Sequence, residues 1–268
     1  MNVQEQYAIC VQGLKDFTAS IGATDVVIGL SGGIDSSLVA AMCVDALGAD
    51  HVHGYMMPGP YSTDHSLKDS WDLAENLGMQ AQVISIAEPY KAFAQELSAH
   101  CNMERGLPSE NTQARCRMVV LMALSNAYGW MMVNTGNKSE SMMGYSTLYG
   151  DTSGAYAPIG GLYKTDVFAM CRWLNEEARA NGKVPPIPEN VILKPPSAEL
   201  APDQFDEDTL GSYADLDRLL IDHVERGMDV EALVAAGYDA EEVQRVTKRV
   251  AAYAFKRALE PIFPVIPY

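Results

Sequence analysis

The chain has 268 residues, a length that suits one domain or a domain with an extension. Hydrophobic residues make up 48% of it and charged residues 20%, a balance typical of folded soluble proteins rather than of disordered ones. The net charge of −16 disfavours DNA or RNA as a partner, because an acidic surface repels a phosphate backbone. The chain shows no secretory signal, and its most apolar stretch, residues 118–124, is too short to span a membrane. We therefore expect a cytoplasmic protein that binds neither nucleic acid nor membrane.

The first two-thirds of the chain alternates short apolar runs with longer helical patterns. The apolar runs predict four strands, at residues 25–31, 52–57, 82–86 and 131–134. Helices are predicted at residues 34–47, 64–77, 89–100, 111–128 and 164–181. Strands that are separated by helices need crossover connections, which favours a parallel sheet with helices on both faces, the doubly wound α/β class.

The remainder of the chain has a different pattern. Residues 136–163 are rich in glycine, serine, threonine and tyrosine and show little periodicity, which is unusual for a plain connection. Residues 184–209 contain six of the 14 prolines and predict an extended segment. Three helices are predicted after it, at residues 213–226, 230–236 and 241–260. We predict one domain over residues 1–268, with an α/β core over about residues 25–180 and a helical extension over about residues 185–268.

The most informative loop lies between the first predicted strand and its helix. It reads Gly29, Leu30, Ser31, Gly32, Gly33, Ile34, Asp35, Ser36, Ser37. Adjacent glycines let backbone N–H groups approach an anion, and the N-terminus of the following helix favours phosphate. Asp35 would repel a phosphate unless a cation lay between them, which suggests Mg²⁺. The loop lacks the lysine of a Walker A motif, and the bland alternative is a capped strand-to-helix turn, which the full string disfavours.

This string resembles the SGGxDS loop of the ATP-pyrophosphatase family, whose members bind the pyrophosphate of ATP there. Those enzymes adenylate a carbonyl or carboxyl oxygen, release pyrophosphate, and let a nitrogen or sulfur nucleophile displace AMP. The resemblance implies that residues 29–36 bind ATP and that an ATP-pyrophosphatase type of fold surrounds them. The residues by themselves indicate only nucleotide phosphates and magnesium.

Further strings resemble NAD synthetases, in order, over roughly residues 25–260. They lie at residues 111–118, 135–140, 144–151, 157–159, 163–165, 194–200, 203–204 and 206–208. The resemblance implies a ligase that converts deamido-NAD into NAD through an adenylated carboxylate and releases AMP and pyrophosphate. The chain begins about two dozen residues before the ATP loop, which leaves no room for the N-terminal glutaminase domain of larger members. We therefore expect ammonia, either free or delivered by a separate glutaminase, as the nitrogen donor.

The resemblance also assigns roles around the phosphates. Asp35 and Glu140 correspond to Mg²⁺ ligands, which fits the preference of Mg²⁺ for a few carboxylates plus phosphate oxygens. Asp35 and Lys164 correspond to the catalytic groups, with Lys164 binding phosphate and neutralising the charge on the departing pyrophosphate. Asn137 and Ser197 lie where the family contacts ATP, although Ser197 could instead cap a helix.

For the dinucleotide substrate, the resemblance points to Arg115, Phe255 and Lys256 as contacts of deamido-NAD. Leu148 and Ala155 stand where some ammonia-dependent members carry a lysine and an aspartate, so no role is assigned to them. The family commonly forms homodimers, and the resemblance implies one here. Two alternatives stay open, another ATP-pyrophosphatase enzyme and a non-catalytic nucleotide-binding module, and release of pyrophosphate would separate the second from an enzyme.

Overall fold

A computed structural model describes residues 1–202 and 204–268 of the chain. Asp203, which belongs to one of the strings that resemble NAD synthetases, lies outside these residues. The strands are β1 (Val26–Gly29), β2 (Val52–Met56), β3 (Gln80–Val83) and β4 (Met131–Met132). The helices are α1 (Val3–Ile21), α2 (Ile34–Leu47), α3 (Asp64–Leu77), α4 (Ala87–Leu97), α5 (Leu107–Tyr128), α6 (Lys138–Met143), α7 (Lys164–Ala180), α8 (Glu189–Leu193), α9 (Glu207–Leu210), α10 (Tyr213–Leu220), α11 (Val230–Ala235), α12 (Ala240–Ala252) and α13 (Ala254–Arg257).

The four strands form one parallel sheet in the order β3-β2-β1-β4, with Val26 opposite both Val52 and Met131. Alternate residues of β1 face opposite sides of this sheet, because side chains alternate along a strand. Ile28 belongs to the core that α1, α2 and α7 share, whereas Val27 packs in a second core with residues of α4 and α5. The predicted doubly wound α/β fold is thus confirmed.

The helical extension packs as a third cluster. Leu216, Leu219 and Leu220 of α10 lie in it, buried against Val243 and Val246 of α12. Met143 and Tyr163 of the α/β core also belong to this cluster. The extension is therefore packed directly on the segment between β4 and α7, which was predicted to be more than a plain connection. No helix of residues 1–202 and 204–268 is both long enough and apolar enough to cross a membrane.

Several predicted boundaries differ from the observed ones. The third strand was predicted at residues 82–86 but occupies Gln80–Val83, because this edge strand is largely exposed and the apolar signal came from the residues that lead into α4. The single helix predicted at residues 241–260 is interrupted at Tyr253. The helix predicted at residues 213–226 leaves regular α geometry after Leu220 and ends in a π-helical turn, Ile221–Glu225.

Other helices were missed entirely. α6 lies within residues 136–163, and α8 and α9 lie within the proline-rich segment. The largest omission is α1, which opens with a capping box in which Asn2 and Glu5 each accept the other's backbone N–H. Its residues Tyr7, Cys10 and Leu14, spaced three or four apart, are buried against the core. This capping and spacing are readable in the sequence.

A substitution in α1 tests whether this helix is part of the core. Leu14 is fully buried, so Leu14→Ala should lower the free energy of unfolding by about 2–5 kcal/mol, through lost burial and the cavity it leaves. The matched control is Leu193→Ala, because Leu193 is 72% exposed. Urea unfolding followed by circular dichroism measures both. Equal stabilities of the two variants would contradict the packing of α1.

Candidate active site

The site lies where the carboxyl ends of β1 and β4 meet, the usual ligand position of an open α/β sheet. The loop after β1 makes its turn at Gly32, whose φ of +73° favours glycine. A Cβ atom at Gly32 would lie 2.4 Å from the backbone oxygen of Ser66, so the loop also needs glycine to approach the first turn of α3. Two independent constraints therefore place glycine at this position.

Serine hydroxyls hold the rest of this loop in place. Ser36 Oγ and Ser37 Oγ donate to the carbonyl oxygen of Gly33, at 3.0 and 2.8 Å. Ser31 Oγ accepts the Gly33 N–H at 3.2 Å. Gly33 is the N-cap residue of α2 and has no side chain to cap the helix, so N–H groups of the first helical turn are left for a ligand. The phosphate-binding role of residues 29–36 stays a prediction.

A buried cation joins the predicted catalytic and metal-binding residues. Lys164 is the first residue of α7, and it is only 2% exposed. Its Nζ donates to Asp35 Oδ2 at 2.6 Å and to Glu140 Oε1 at 3.1 Å. The structure therefore brings Asp35 of α2 together with Glu140 of α6 and Lys164 of α7, although Asp35 lies 129 positions before Lys164 in the sequence.

Asn137 ties the two carboxylates together from the other side. Its Nδ2 donates to Asp35 Oδ1 at 3.0 Å, and its Oδ1 accepts the Glu140 N–H at 3.0 Å as the N-cap of α6. The predicted ATP-binding residue Asn137 thus orients both Asp35 and the helix that carries Glu140. Asn137 is itself buried.

The electrostatics of this centre follow from burial and from charge pairing. Burial raises the pKa of Glu140, although the nearby ammonium of Lys164 opposes the shift. For Lys164, burial acts to lower the pKa, but the carboxylates of Asp35, Glu140 and Asp206 outweigh it and raise the pKa above its usual value. Lys164 is therefore held as a cation, ready to face the negative charge of a phosphate.

Asp206 and Tyr213 complete the centre, and the sequence analysis gave neither of them a role. Asp206 is buried at the start of α9, and the hydroxyl of Tyr213 donates to its Oδ2 at 3.0 Å. The ring of Tyr213 lies over Lys164 Nζ, 5.2 Å from the ring centroid. The available sequence signal was the string at residues 206–208, which carried no assigned chemistry.

The chemistry of these side chains fits Mg²⁺. Among the described residues, no group of three or more histidine, cysteine or carboxylate side chains is arranged to hold a metal. Mg²⁺ bound beside a nucleotide usually takes one or two carboxylates and completes its shell with phosphate oxygens and water. Asp35 and Glu140, which lie against the same lysine nitrogen, are such a pair.

Ser197 lies in a loop that is stabilised by its own hydroxyl. Ser197 Oγ donates to the carbonyl oxygen of Gln204 at 2.5 Å and accepts the Glu199 N–H at 3.1 Å. Glu199 in turn accepts hydrogen bonds from Thr63 and Ser66 at the N-terminus of α3. The helix cap considered for Ser197 is not observed, and the segment is anchored at the same turn of α3 that Gly32 approaches.

The residues predicted to contact deamido-NAD gather around one loop. Arg115 Nε donates to the carbonyl oxygen of Leu148 at 3.1 Å. Lys256 Nζ donates to the carbonyl oxygens of Gly144 at 2.8 Å and Ser146 at 2.5 Å, and burial lowers its pKa. Phe255 is 58% exposed. The structure therefore places Arg115 and Lys256 on either end of residues 144–148, with the Phe255 ring free to meet a ligand.

Comparison with known proteins shows the family of this chain. The family model described as NAD synthase matches residues 6–260. The chain belongs to the NAD synthase family. A glutamine-dependent NAD(+) synthetase of Thermotoga maritima is 42% identical over 255 residues, which are 95% of this chain and 44% of that relative. The chain spans about half the length of the curated relatives it matches.

Two solved structures cover nearly the whole of this NAD synthase family chain. The NMN synthetase of Francisella tularensis superposes with a TM-score of 0.80 at 28% identity, and the alignment covers 96% of both chains. The NH3-dependent NAD synthetase of Campylobacter jejuni, solved with a nitrate ion, superposes with a TM-score of 0.76 at 29% identity and the same coverage. The arrangement of sheet and flanking helices is therefore that of known family members.

The close approach of Gly32 to α3 yields a prediction for the family's ATP loop in this chain. Gly32→Ala should weaken ATP binding at least tenfold and destabilise the fold by about 1–3 kcal/mol, because the new Cβ meets the Ser66 backbone at a strained φ. Gly78→Ala is the matched control, since Gly78 has a φ of +68° with open space around it. Isothermal calorimetry and thermal unfolding measure the two effects. ATP affinity that falls equally in both variants would show that backbone strain alone accounts for the loss.

Proposed function

We propose that this chain catalyses the ATP-dependent amidation of deamido-NAD to NAD with ammonia, releasing AMP and pyrophosphate. The main support is the buried Lys164 ammonium, held between Asp35 of the nucleotide loop and Glu140 of α6. A cation fixed in a site of low solvent access stabilises negative charge strongly, because few water molecules screen it. The family match over residues 6–260 supports the same reaction.

In the first step we propose that the nicotinate carboxylate attacks the α-phosphorus of ATP and pyrophosphate leaves with the electrons of the broken P–O bond. Residues 29–36 would hold the phosphates, with N–H groups of the first turn of α2 directed at them. Lys164 would stabilise the charge that builds on the departing pyrophosphate. Mg²⁺, when held by Asp35 and Glu140, would supply further positive charge to the phosphate oxygens.

In the second step the nitrogen lone pair of ammonia attacks the acyl carbon of the adenylated carboxylate. The new C–N bond forms, AMP leaves with the electrons of the C–O bond, and the surplus proton goes to solvent. Ammonia is already a good nucleophile once it is neutral, so this chain needs no serine or cysteine nucleophile of its own. Its residues contribute mainly by holding the acyl adenylate in position.

The nitrogen donor is the part of the proposal in which the relatives differ. The Thermotoga maritima relative is glutamine-dependent, whereas the Campylobacter jejuni structure is an NH3-dependent enzyme. We propose ammonia, either free or delivered by a separate glutaminase, for the 268 residues of this chain. A homodimer in the cytoplasm is the form that we propose for it.

A second acceptor has one specific observation in its favour. The NMN synthetase of Francisella tularensis covers 96% of both chains with a TM-score of 0.80. Its name implies amidation of a mononucleotide, by the same chemistry on a smaller substrate. Deamido-NAD remains the acceptor that we propose. Arg115 and Lys256, which contact opposite ends of residues 144–148, would be available to the additional adenylate half of that larger substrate.

The direct test is product formation by the purified chain with ATP, Mg²⁺ and four combinations of substrates. Deamido-NAD or nicotinate mononucleotide is supplied with either ammonium or glutamine, and products are resolved by liquid chromatography. We expect NAD from deamido-NAD with ammonium and none with glutamine. Amide formed only from nicotinate mononucleotide, and not from deamido-NAD, would mean that the acceptor is the mononucleotide. A chain that binds ATP but forms no amide in any of the four combinations would refute the proposed reaction.

A substitution of the buried cation tests the role of its charge. Lys164→Ala should lower kcat by about 10²–10³-fold, because a charge aimed at the leaving group is lost. The variant should also unfold at a lower temperature, since Asp35 and Glu140 then face each other without a cation. Lys15→Ala, at an exposed lysine of α1, is the control and should leave both quantities unchanged. A kcat within threefold of the wild type would exclude Lys164 from the reaction.

A further inference from the structure

The first turn of α7 is held by side chains of two other helices. The backbone N–H groups of Lys164 and Thr165 have no partner within α7, as is usual for a first helical turn. Ser139 Oγ, on α6, accepts the Lys164 N–H at 2.8 Å. Asp217 Oδ2, on α10, accepts the Thr165 N–H at 2.8 Å. The residue that carries the proposed catalytic ammonium is thus fixed through contacts that are distant in sequence.

Asp217 also connects the two helices of the site. Its Oδ1 accepts the hydroxyl proton of Ser139 at 2.5 Å, so one carboxylate holds α6 and α7 together. Ser139 directly precedes Glu140, and Thr165 directly follows Lys164. The bridge Ser139–Asp217–Thr165 therefore joins the residues next to Glu140 and Lys164, whose side chains contact each other in the site. Asp217 itself is 1% exposed and does not reach the ammonium.

The rest of α10 fixes the position of this buried carboxylate. Leu216, Leu219 and Leu220 anchor the helix in the third core, so Asp217 is carried on an otherwise apolar face. Tyr213, four residues before Asp217, lies on the same face and places its ring over Lys164 Nζ. One face of α10 thus contacts Lys164 at its ammonium and, through Asp217, at the backbone next to it.

A carboxylate is well matched to this task. The N-terminus of a helix carries partial positive charge, so an anion there is favoured over a neutral side chain. Its two oxygens accept from two donors on different helices, which fixes their separation. A neutral amide of the same shape lacks the charge and has only one accepting oxygen, so it would also lose one of these two hydrogen bonds.

We propose that Asp217 is a positioning residue of the active site, which sets the placement of Glu140 and Lys164 by bridging Ser139 and Thr165. This inference rests on the proposed ATP-binding role of Lys164. Asp217 acts through the two neighbouring helices, whose side chains face the nucleotide phosphates. Replacing Asp217 should therefore weaken the affinity for ATP most when the Lys164 ammonium is present.

The test is a double-mutant cycle on the affinity for ATP with Mg²⁺, measured by isothermal calorimetry on the full chain. Asp217→Asn should weaken binding about tenfold in the wild-type background and less than threefold in the Lys164→Ala background, because groups that act as a unit are not additive. Equal weakening in both backgrounds would mean a general structural effect and would overturn the proposal. Unchanged affinity in the wild-type background would overturn it too.

A matched control separates positioning from loss of stability. Asn175 lies further along α7, is equally buried, and makes two hydrogen bonds with the backbone of Ile187. Asn175→Ala should lower the unfolding temperature and leave the affinity for ATP within twofold in both backgrounds. If Asp217→Asn does not fold, Ser139→Ala replaces it in the cycle, since it removes the hydroxyl that joins α6 to Asp217.

Because the measured quantity is ATP affinity, a failure of the role of Asp217 can be distinguished from a failure of the proposed reaction. The cycle uses only ATP and Mg²⁺, so it can be completed even if the chain makes no NAD. A wild-type chain that binds ATP but forms no amide would refute the proposed function and leave the test of Asp217 intact. A wild-type chain that makes NAD, with an additive cycle, would refute only the role of Asp217.

Discussion

The structure of the site depends on one buried cation between two carboxylates. An ammonium group removed from water is very costly unless it is paired and hydrogen-bonded. Lys164 meets that requirement with Asp35 on one side and Glu140 on the other, under the ring of Tyr213. Each of these partners comes from a different helix. Since the charges must be neutralised where they are buried, the helices that carry them are held in fixed relative positions.

The helical extension packs on the α/β core directly beside this cation. Tyr163, which precedes Lys164, is buried in the same cluster as α10 and α12, and its hydroxyl donates to Glu225 at 2.7 Å. The end of the chain also reaches this place, where Tyr268 contacts Asp166 in the first turn of α7 at 2.7 Å. The helical extension is therefore part of the support of the site, and α7 begins where three separate segments meet.

The ATP loop shows how a local string and a long-range contact act together. Gly32 permits the left-handed turn, which is a local property that the sequence displays. The same glycine also leaves space for the Ser66 backbone, which only the position of α3 explains. Glu199 is anchored at that turn of α3 by hydrogen bonds to Thr63 and Ser66. The loop after β1 and the proline-rich segment consequently both contact the first turn of α3.

Much of the site could be predicted from the sequence, because loop chemistry and strand–helix alternation are local patterns. The glycine–serine string, Asp35 after it, and the alternation of apolar runs predicted a nucleotide site on a parallel sheet. The resemblance added Glu140, Lys164 and Asn137, which the structure brings together. The helix α1 is equally predictable from its capping box and its apolar spacing, because both are local patterns.

Only the tertiary structure decided which residues, distant in sequence, surround the ammonium of Lys164 and support the start of its helix. Asp206 lies in the predicted extended segment, where the sequence assigns it no chemistry. Tyr213 and Asp217 look in the sequence like ordinary residues of a helical tail, since an aspartate on a helix is usually solvated. Their burial and their contacts with Lys164, Thr165 and Ser139 follow from the packing of α10 on α6 and α7. The sequence by itself determined the local chemistry of the phosphate loop and the class of fold, because both depend on neighbouring residues. The electrostatic support of Lys164 depends on distances across the fold, and only the packed chain sets those.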